Sequence, residues 1–189
     1  MNYGEELTYW YLRLNGFFLI QNFVVHRTDE LEYSSDIDLL AIRFPHVYEE
    51  VGGRPEDWHD YLLRTLDFNK VTGIICEVKT GDYEEEKLFK SKYINYSLRR
   101  FGFKSDIYRY TNSVKNNNIT QLDEYQIVKL FVSNNEPQST EDKIFISLQK
   151  IREFIETRLE KYNTEKWQDR IFFHSNYLQS VIDRVHNDL

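Results

Sequence analysis

The stretch VTGIICEVKTG (71–81) decides the fold. It is apolar and rich in β-branched residues up to Cys76, then admits Glu77 and Lys79 before Gly81 ends it. Such a run reads as a buried strand. Side chains alternate along a strand, so Glu77 and Lys79 share one face while Val78 points to the other. A carboxylate and an ammonium at the end of a buried strand are costly to desolvate unless they have partners.

Upstream, DIDLLAIRF (36–44) reads as a second strand that Pro45 terminates. Between the two strands, residues 46–70 hold a turn at Gly52–Gly53 and then PEDWHDYLLRTLDF, whose proline and early acids are good helix-start chemistry. A helical insertion is expected there, either a lid over a cleft or a packing excursion. Further upstream, FFLIQNFVV (17–25) reads as another strand. GEELTYWYLRLN (4–15) reads as a helix with Leu7, Trp10, Tyr11 and Leu14 at spacings of three and four, stopped by Gly16. Residues 26–35 are polar and loop-like.

Downstream, a helix is expected over 86–101, strands over 125–133 and 143–146, and an amphipathic helix from about Ser147. The stripe of that helix is Leu148, Ile151, Phe154, Ile155 and Leu159. A last helix is expected near 175–186. The order α-β-β-insertion-β-α-β-β-α-α predicts one α/β domain, residues 1–189, with a mixed central sheet flanked by helices. It divides into a core at about 4–133, the insertion at 46–70 and a C-terminal helical extension at 147–189.

With 41% hydrophobic and 16% aromatic residues, the chain is a folding globular sequence rather than a disordered one. Its one cysteine, Cys76, excludes a disulfide framework or a cysteine-based zinc site within one chain, and it is expected to pack in the sheet. Low cysteine usage suits a cytoplasmic protein. No basic leader followed by an apolar stretch opens the chain, and no apolar run approaches the ~20 residues that span a membrane, so neither secretion nor membrane insertion is expected. The five histidines, His26, His46, His59, His174 and His186, show no paired ligand spacing.

The net charge of −7 hides a strong asymmetry. Residues 1–86 carry 7 Lys+Arg against 18 Asp+Glu, residues 116–189 carry 9 against 12, and residues 87–115 carry 8 basic residues against Asp106 alone. A concentrated basic segment on an acidic chain is what a local phosphate-binding surface needs. A solvated helix face is the alternative reading.

In SDIDLLAIR (35–43), alternation puts Asp36, Asp38, Leu40 and Ile42 on one face. Carboxylates from this strand brought against Glu77 would repel, and a hard divalent cation relieves that repulsion. On Gly4–Glu5–Glu6 in the first helix, SDIDLLA at 35–41 and EVKTG at 77–81, the chain resembles the PD-(D/E)XK nuclease superfamily, which includes many restriction endonucleases and Holliday-junction resolvases. The likeness spans residues 4–133 and implies a restriction endonuclease-like core.

By that resemblance, Asp38 and Glu77 are the metal-binding carboxylates and the Val78 backbone carbonyl adds a further ligand. Lys79 is the lysine of the E-x-K element, and Glu5 is the helix glutamate that completes the site through a bound water. Two departures stand beside this. No proline precedes the first acid, which leaves Asp36 as a rival ligand, and the insertion lengthens the gap between Asp38 and Glu77. The implied activity is Mg²⁺- or Mn²⁺-dependent hydrolysis of phosphodiester bonds, with DNA the expected substrate and a homodimer a form common in the superfamily. Lys87, Lys90, Lys92, Arg99, Arg100 and Lys104 follow the catalytic strand directly and are expected to grip the nucleic-acid backbone.

Each of these residues has a plainer reading. Asp38, Glu77 and Lys79 could form a structural buried ion pair without metal, and Glu5 could be a favourable acid in a helix first turn. The competing functional class is a binding module of the same fold that no longer cleaves.

Overall fold

In this computed structural model, residues 2–25, 35–162 and Ser180 are described. The expected helix near 175–186 lies outside these residues apart from Ser180.

Strand β3 (Val71–Lys79) occupies the middle of a six-stranded mixed sheet, as its apolar run requires. Seven consecutive residues, Thr72–Val78, are buried along it. On one side it pairs antiparallel with β2 (Ser35–Arg43), which pairs antiparallel with β1 (Phe18–Val25). On the other it runs parallel to β5 (Tyr125–Ser133) through nine residue pairs. The far edge of β5 is shared by two short strands. β4 (Ile119–Leu122) lies antiparallel to its first half and β6 (Ile144–Ser147) parallel to its second.

Helices cover both faces, giving three layers. Helices α1 (Tyr3–Leu14), α2 (Asp60–Thr65) and α5 (Leu148–Lys161) bury Leu7, Tyr11, Leu62, Ile151 and Ile155 against Leu39, Ile74, Val128 and Ile146 of the sheet. Helices α3 (Ser91–Arg100) and α4 (Ile107–Asn116) bury Ile94, Leu98, Ile107 and Val114 against Ile37, Leu40, Ile75, Ile127 and Phe131 on the other face. Burial of side chains such as these contributes about 1.5–3 kcal/mol each, before the entropy of ordering them is set against it. Cys76 faces the α1/α5 layer, fully buried, and burial pushes its thiol pKa well up.

The ends of α1 follow local rules. Asn2 caps it by accepting the Glu5 N–H at 3.0 Å, and the Glu5 carboxylate in turn accepts the Asn2 N–H at 3.0 Å. Gly16, at φ +83°, supplies the left-handed stop. α5 starts at Ser147, whose side chain accepts the Lys150 N–H.

Three expectations need correction. The insertion is not one helix: a 3-10 turn at Pro55–Asp57 and the short α2 are separated by extended Trp58 and His59. Trp58 leaves the helical path because it is buried beside two guanidinium groups, those of Arg43 and Arg158 at 5.1 and 5.9 Å. Second, the helix expected over 86–101 starts only at Ser91. Leu88 and Phe89 turn into the core, and Phe89 does so at φ +48°, which no helix tolerates. Third, α4 and β4 occupy residues 107–122, which the sequence pattern left unassigned.

The insertion is held down rather than poised over a cleft. Buried Arg158 of α5 donates to the carbonyl oxygens of Gly52, Asp57 and Leu14, and Asp57 accepts from Lys161 and Tyr162. It therefore packs on the α1/α5 layer. It joins the Arg43 end of β2 to the Val71 end of β3, the end opposite Glu77 and Lys79. Among the described residues, no helix is long and apolar enough to cross a membrane.

Candidate functional site

The site is built where two strands part. The β2–β3 ladder runs from Arg43↔Thr72 to Leu39↔Cys76 and stops there, one residue short of Asp38 and Glu77. The β1–β2 ladder keeps one register on both sides of Asp38 but has no pair at Asn22–Asp38, and Asn22 sits at φ +46°. Strict alternation is lost at this point: Ile37 and Leu40, three residues apart, both pack in the α3/α4 layer. The reading that places Asp36, Asp38 and Leu40 on one unbroken face is corrected accordingly.

Side chains replace the missing ladder bonds. Asp38 Oδ2 accepts the Val78 N–H at 2.7 Å and the Lys79 ammonium at 3.0 Å. The same ammonium donates to Glu77 Oε2 at 2.9 Å. Both carboxylates thus bond to one ammonium nitrogen. N–H and C=O of one residue point to the same edge of an extended strand, so the Val78 carbonyl opens toward the fork as well.

The electrostatics are unbalanced toward negative charge. Glu77 is 7% exposed, and its pKa is pushed up to about 6. Burial is the main cause and the Asp38 and Asp36 charges add to it, so Lys79 compensates only in part. Lys79 is itself raised: burial acts to lower it, but Glu77 and Asp38 together outweigh that. Asp36 is exposed and reaches the site only through its field on Glu77, so the direct contacts belong to Asp38.

Helix α1 abuts this end of β3. A Cβ on Gly4 would meet Thr80 Cγ2 at 2.6 Å and Val78 Cγ1 at 3.1 Å, so glycine is what lets the helix start so close. Glu5 is half-buried beside it, with its carboxylate bonded to Asn2 in the capping box. Among the described residues, no group of three or more His, Cys, Asp or Glu side chains is placed to hold a metal. The donors the fork offers are two carboxylates and one backbone carbonyl. All are oxygens, which suits a Mg²⁺ ion that keeps much of its water shell.

Ile75, two residues before Glu77, packs against α3 and α4, so Glu77 and Lys79 project on that same side of the sheet. The basic residues expected to hold nucleic acid are all solvent-exposed there or on the loop leading in. Lys87 pairs with Glu84 at 2.7 Å. Lys90 precedes α3, Lys92 lies over the Tyr93 ring at 5.4 Å, and Arg99 donates to Asn95 at 2.9 Å. Arg100 ends α3 and Lys104 lies in the α3–α4 connection.

Two features had no signal in the sequence reading. One is the break at Asn22 and Asp38. The other is a half-buried His59, whose Nδ1 lies 2.6 Å from the Tyr11 hydroxyl and whose pKa is lowered by burial. Comparison with family models, curated proteins and solved structures gave no match.

Proposed function

We propose that this protein is a metal-dependent nuclease with a PD-(D/E)XK-type site, hydrolysing phosphodiester bonds of nucleic acid, DNA foremost. One observation carries the reading: Asp38 and Glu77, from strands that part at this point, meet around Lys79 with more negative charge than Lys79 neutralises. A fork with that imbalance favours a cation, and a three-layer α/β/α fold with a mixed sheet is compatible with the restriction endonuclease-like class.

Asp38, Glu77 and the Val78 carbonyl would hold Mg²⁺ or Mn²⁺, which when bound supplies charge neutralisation at the phosphate and a more acidic water. Lys79 has a raised pKa and stays an ammonium throughout the neutral range, so its role is to position a phosphate oxygen or the attacking water and to offset developing negative charge. The Asp38 bond to the Val78 N–H fixes the rotamer of the carboxylate and keeps the fork open. Glu5 would join through water with the lone pairs that its two bonds to Asn2 leave, and its capping role stands without any such contact.

Purified protein incubated with plasmid and with single-stranded DNA, in Mg²⁺, Mn²⁺ or EDTA, tests the proposal. Cleavage that needs the divalent ion and disappears in Lys79→Ala is expected. No divalent-dependent cleavage on either substrate, with Lys79→Ala changing nothing, would count against it. The second reading, a partner-binding module that no longer cleaves, predicts that null result together with retained nucleic-acid or partner binding.

A further inference from the structure

Helices α3 and α4 pack directly on each other, with Asn95 Nδ2 donating to Thr111 Oγ1 at 3.3 Å across them. On their solvent side they enclose a groove of about 370 Å³ lined by Lys92, Asn95, Tyr96, Arg99, Tyr108 and Thr111 among others. Among the described residues no carboxylate lines it, on a chain with 31 acidic residues and a net charge of −7. Neither Lys92 nor Arg99 forms an ion pair among the described residues. Arg99 is instead oriented by donating its Nε–H to Asn95 Oδ1 at 2.9 Å.

Tyr108 at the rim is 76% exposed, the most open of the large hydrophobic side chains among the described residues. An aromatic ring left in water beside unpaired cations, with amide and hydroxyl groups below, is the lining that takes a flat heteroaromatic ring attached to a phosphate.

We propose that this groove is a subsite for one nucleotide of a single-stranded nucleic-acid chain, its base stacked on Tyr108 and its phosphate beside Lys92 and Arg99. The volume lies at the low end of ligand pockets and has room for a single nucleotide. A groove of this size takes one nucleotide and not the width of a duplex, and a base can lie flat on the Tyr108 ring only where it is unpaired. The groove belongs to the helical layer on the side of the sheet toward which Glu77 and Lys79 project, so a strand held here shares a side of the molecule with the fork. The proposal rests on the reading that the chain acts on nucleic acid. It adds that an unpaired strand is what it holds.

Fluorescence anisotropy with short labelled oligothymidylate and oligouridylate, in EDTA, is the test. The wild type is expected to bind; Tyr108→Ala weakens binding about tenfold, and Tyr108→Phe, which keeps the ring, restores it. Arg99→Gln lowers the slope of log affinity against log salt by about 0.7, the value for one lost contact to a single strand. Preference for either sugar supports the subsite equally and tells which strand it takes. Wild-type protein that binds neither oligomer, or Tyr108→Ala and Arg99→Gln proteins that bind as tightly as wild type, would overturn the subsite. So would a Tyr108→Phe protein as weak as Tyr108→Ala.

The two proposals fail separately. Binding that depends on Tyr108 without any divalent-dependent cleavage removes the nuclease reading and keeps the subsite. Cleavage with binding indifferent to Tyr108 and Arg99 does the reverse.

Discussion

Two of the clusters of buried charge among the described residues border the sheet, and they are built to opposite balances. At the edge of β5, Lys129 and Lys143 are 1% and 4% exposed, and between them they meet two carboxylates. Asp142 takes Lys129 at 3.3 Å and Lys143 at 3.0 Å, and Glu85 takes Lys143 at 3.2 Å. Two ammonium groups face two acids, and the pKa of Asp142 is lowered: burial acts to raise it, but Lys143 and Lys129 outweigh that. At the fork between β2 and β3, two carboxylates share one ammonium, and the pKa of Glu77 is raised. The difference is one of formal charge: the first network is balanced, whereas the fork holds one carboxylate more than its ammonium.

The largest expected contrast is in activity. Lys79→Ala should lower divalent-dependent cleavage by about 10²–10⁴-fold, the usual loss on removing a group aimed at developing charge. Lys143→Met, which keeps the buried stem, should leave the rate within about threefold of wild type. Gel assays of plasmid nicking measure both. Equal losses in the two variants would erase the distinction between the clusters.

Stability should separate them next, and with opposite signs. Asp142→Asn leaves buried Lys129 short of a counter-charge and should cost about 2–3 kcal/mol in urea unfolding. Glu77→Gln removes an ionised group that burial disfavours and should stabilise the metal-free protein at pH 8 by up to about 2 kcal/mol, the equivalent of a pKa moved from 4.5 to about 6.

The pH dependence follows from the same shift. Between about pH 4.5 and 6 the folded protein holds a proton on Glu77 that the unfolded chain does not, so this residue's contribution to stability rises as pH falls through that window. Urea midpoints in EDTA, compared between wild type and Glu77→Gln, isolate the slope. A slope unchanged by the substitution would mean that Glu77 is not the disfavoured charge. The smallest effect is from the ion itself: Mg²⁺ at ten times its dissociation constant should add about 1.4 kcal/mol to the wild type and nothing to Glu77→Gln.

Strands were the most legible part of the fold. β3 and β5 are continuous apolar runs, and the bounds expected for β5 are those observed. α4 was not legible because IYRYTNSVKN is rich in Tyr, Asn and Thr, poor helix formers, and buries only Ile107, Thr111 and Val114. β4 has four residues, too few for a period to show. The helical insertion was half legible: its start chemistry is real, but tertiary burial of Trp58 splits it.

Within the site, the shared face of Glu77 and Lys79 could be read from period two alone. That Asp38 rather than Asp36 turns into the fork could not, since it depends on the unpaired position opposite Asn22. The capping contact of Glu5 was present in the sequence as N-Y-G-E, an Asn three residues before a Glu at a helix start.

Anomalous diffraction from crystals soaked in Mn²⁺ tests the central claim most directly. An ion is expected between Asp38 and Glu77, oxygen-coordinated at about 2.0–2.6 Å, with the Lys79 ammonium displaced from at least one carboxylate. A fork with no anomalous peak, and Lys79 still bonded to both Asp38 and Glu77, would contradict it.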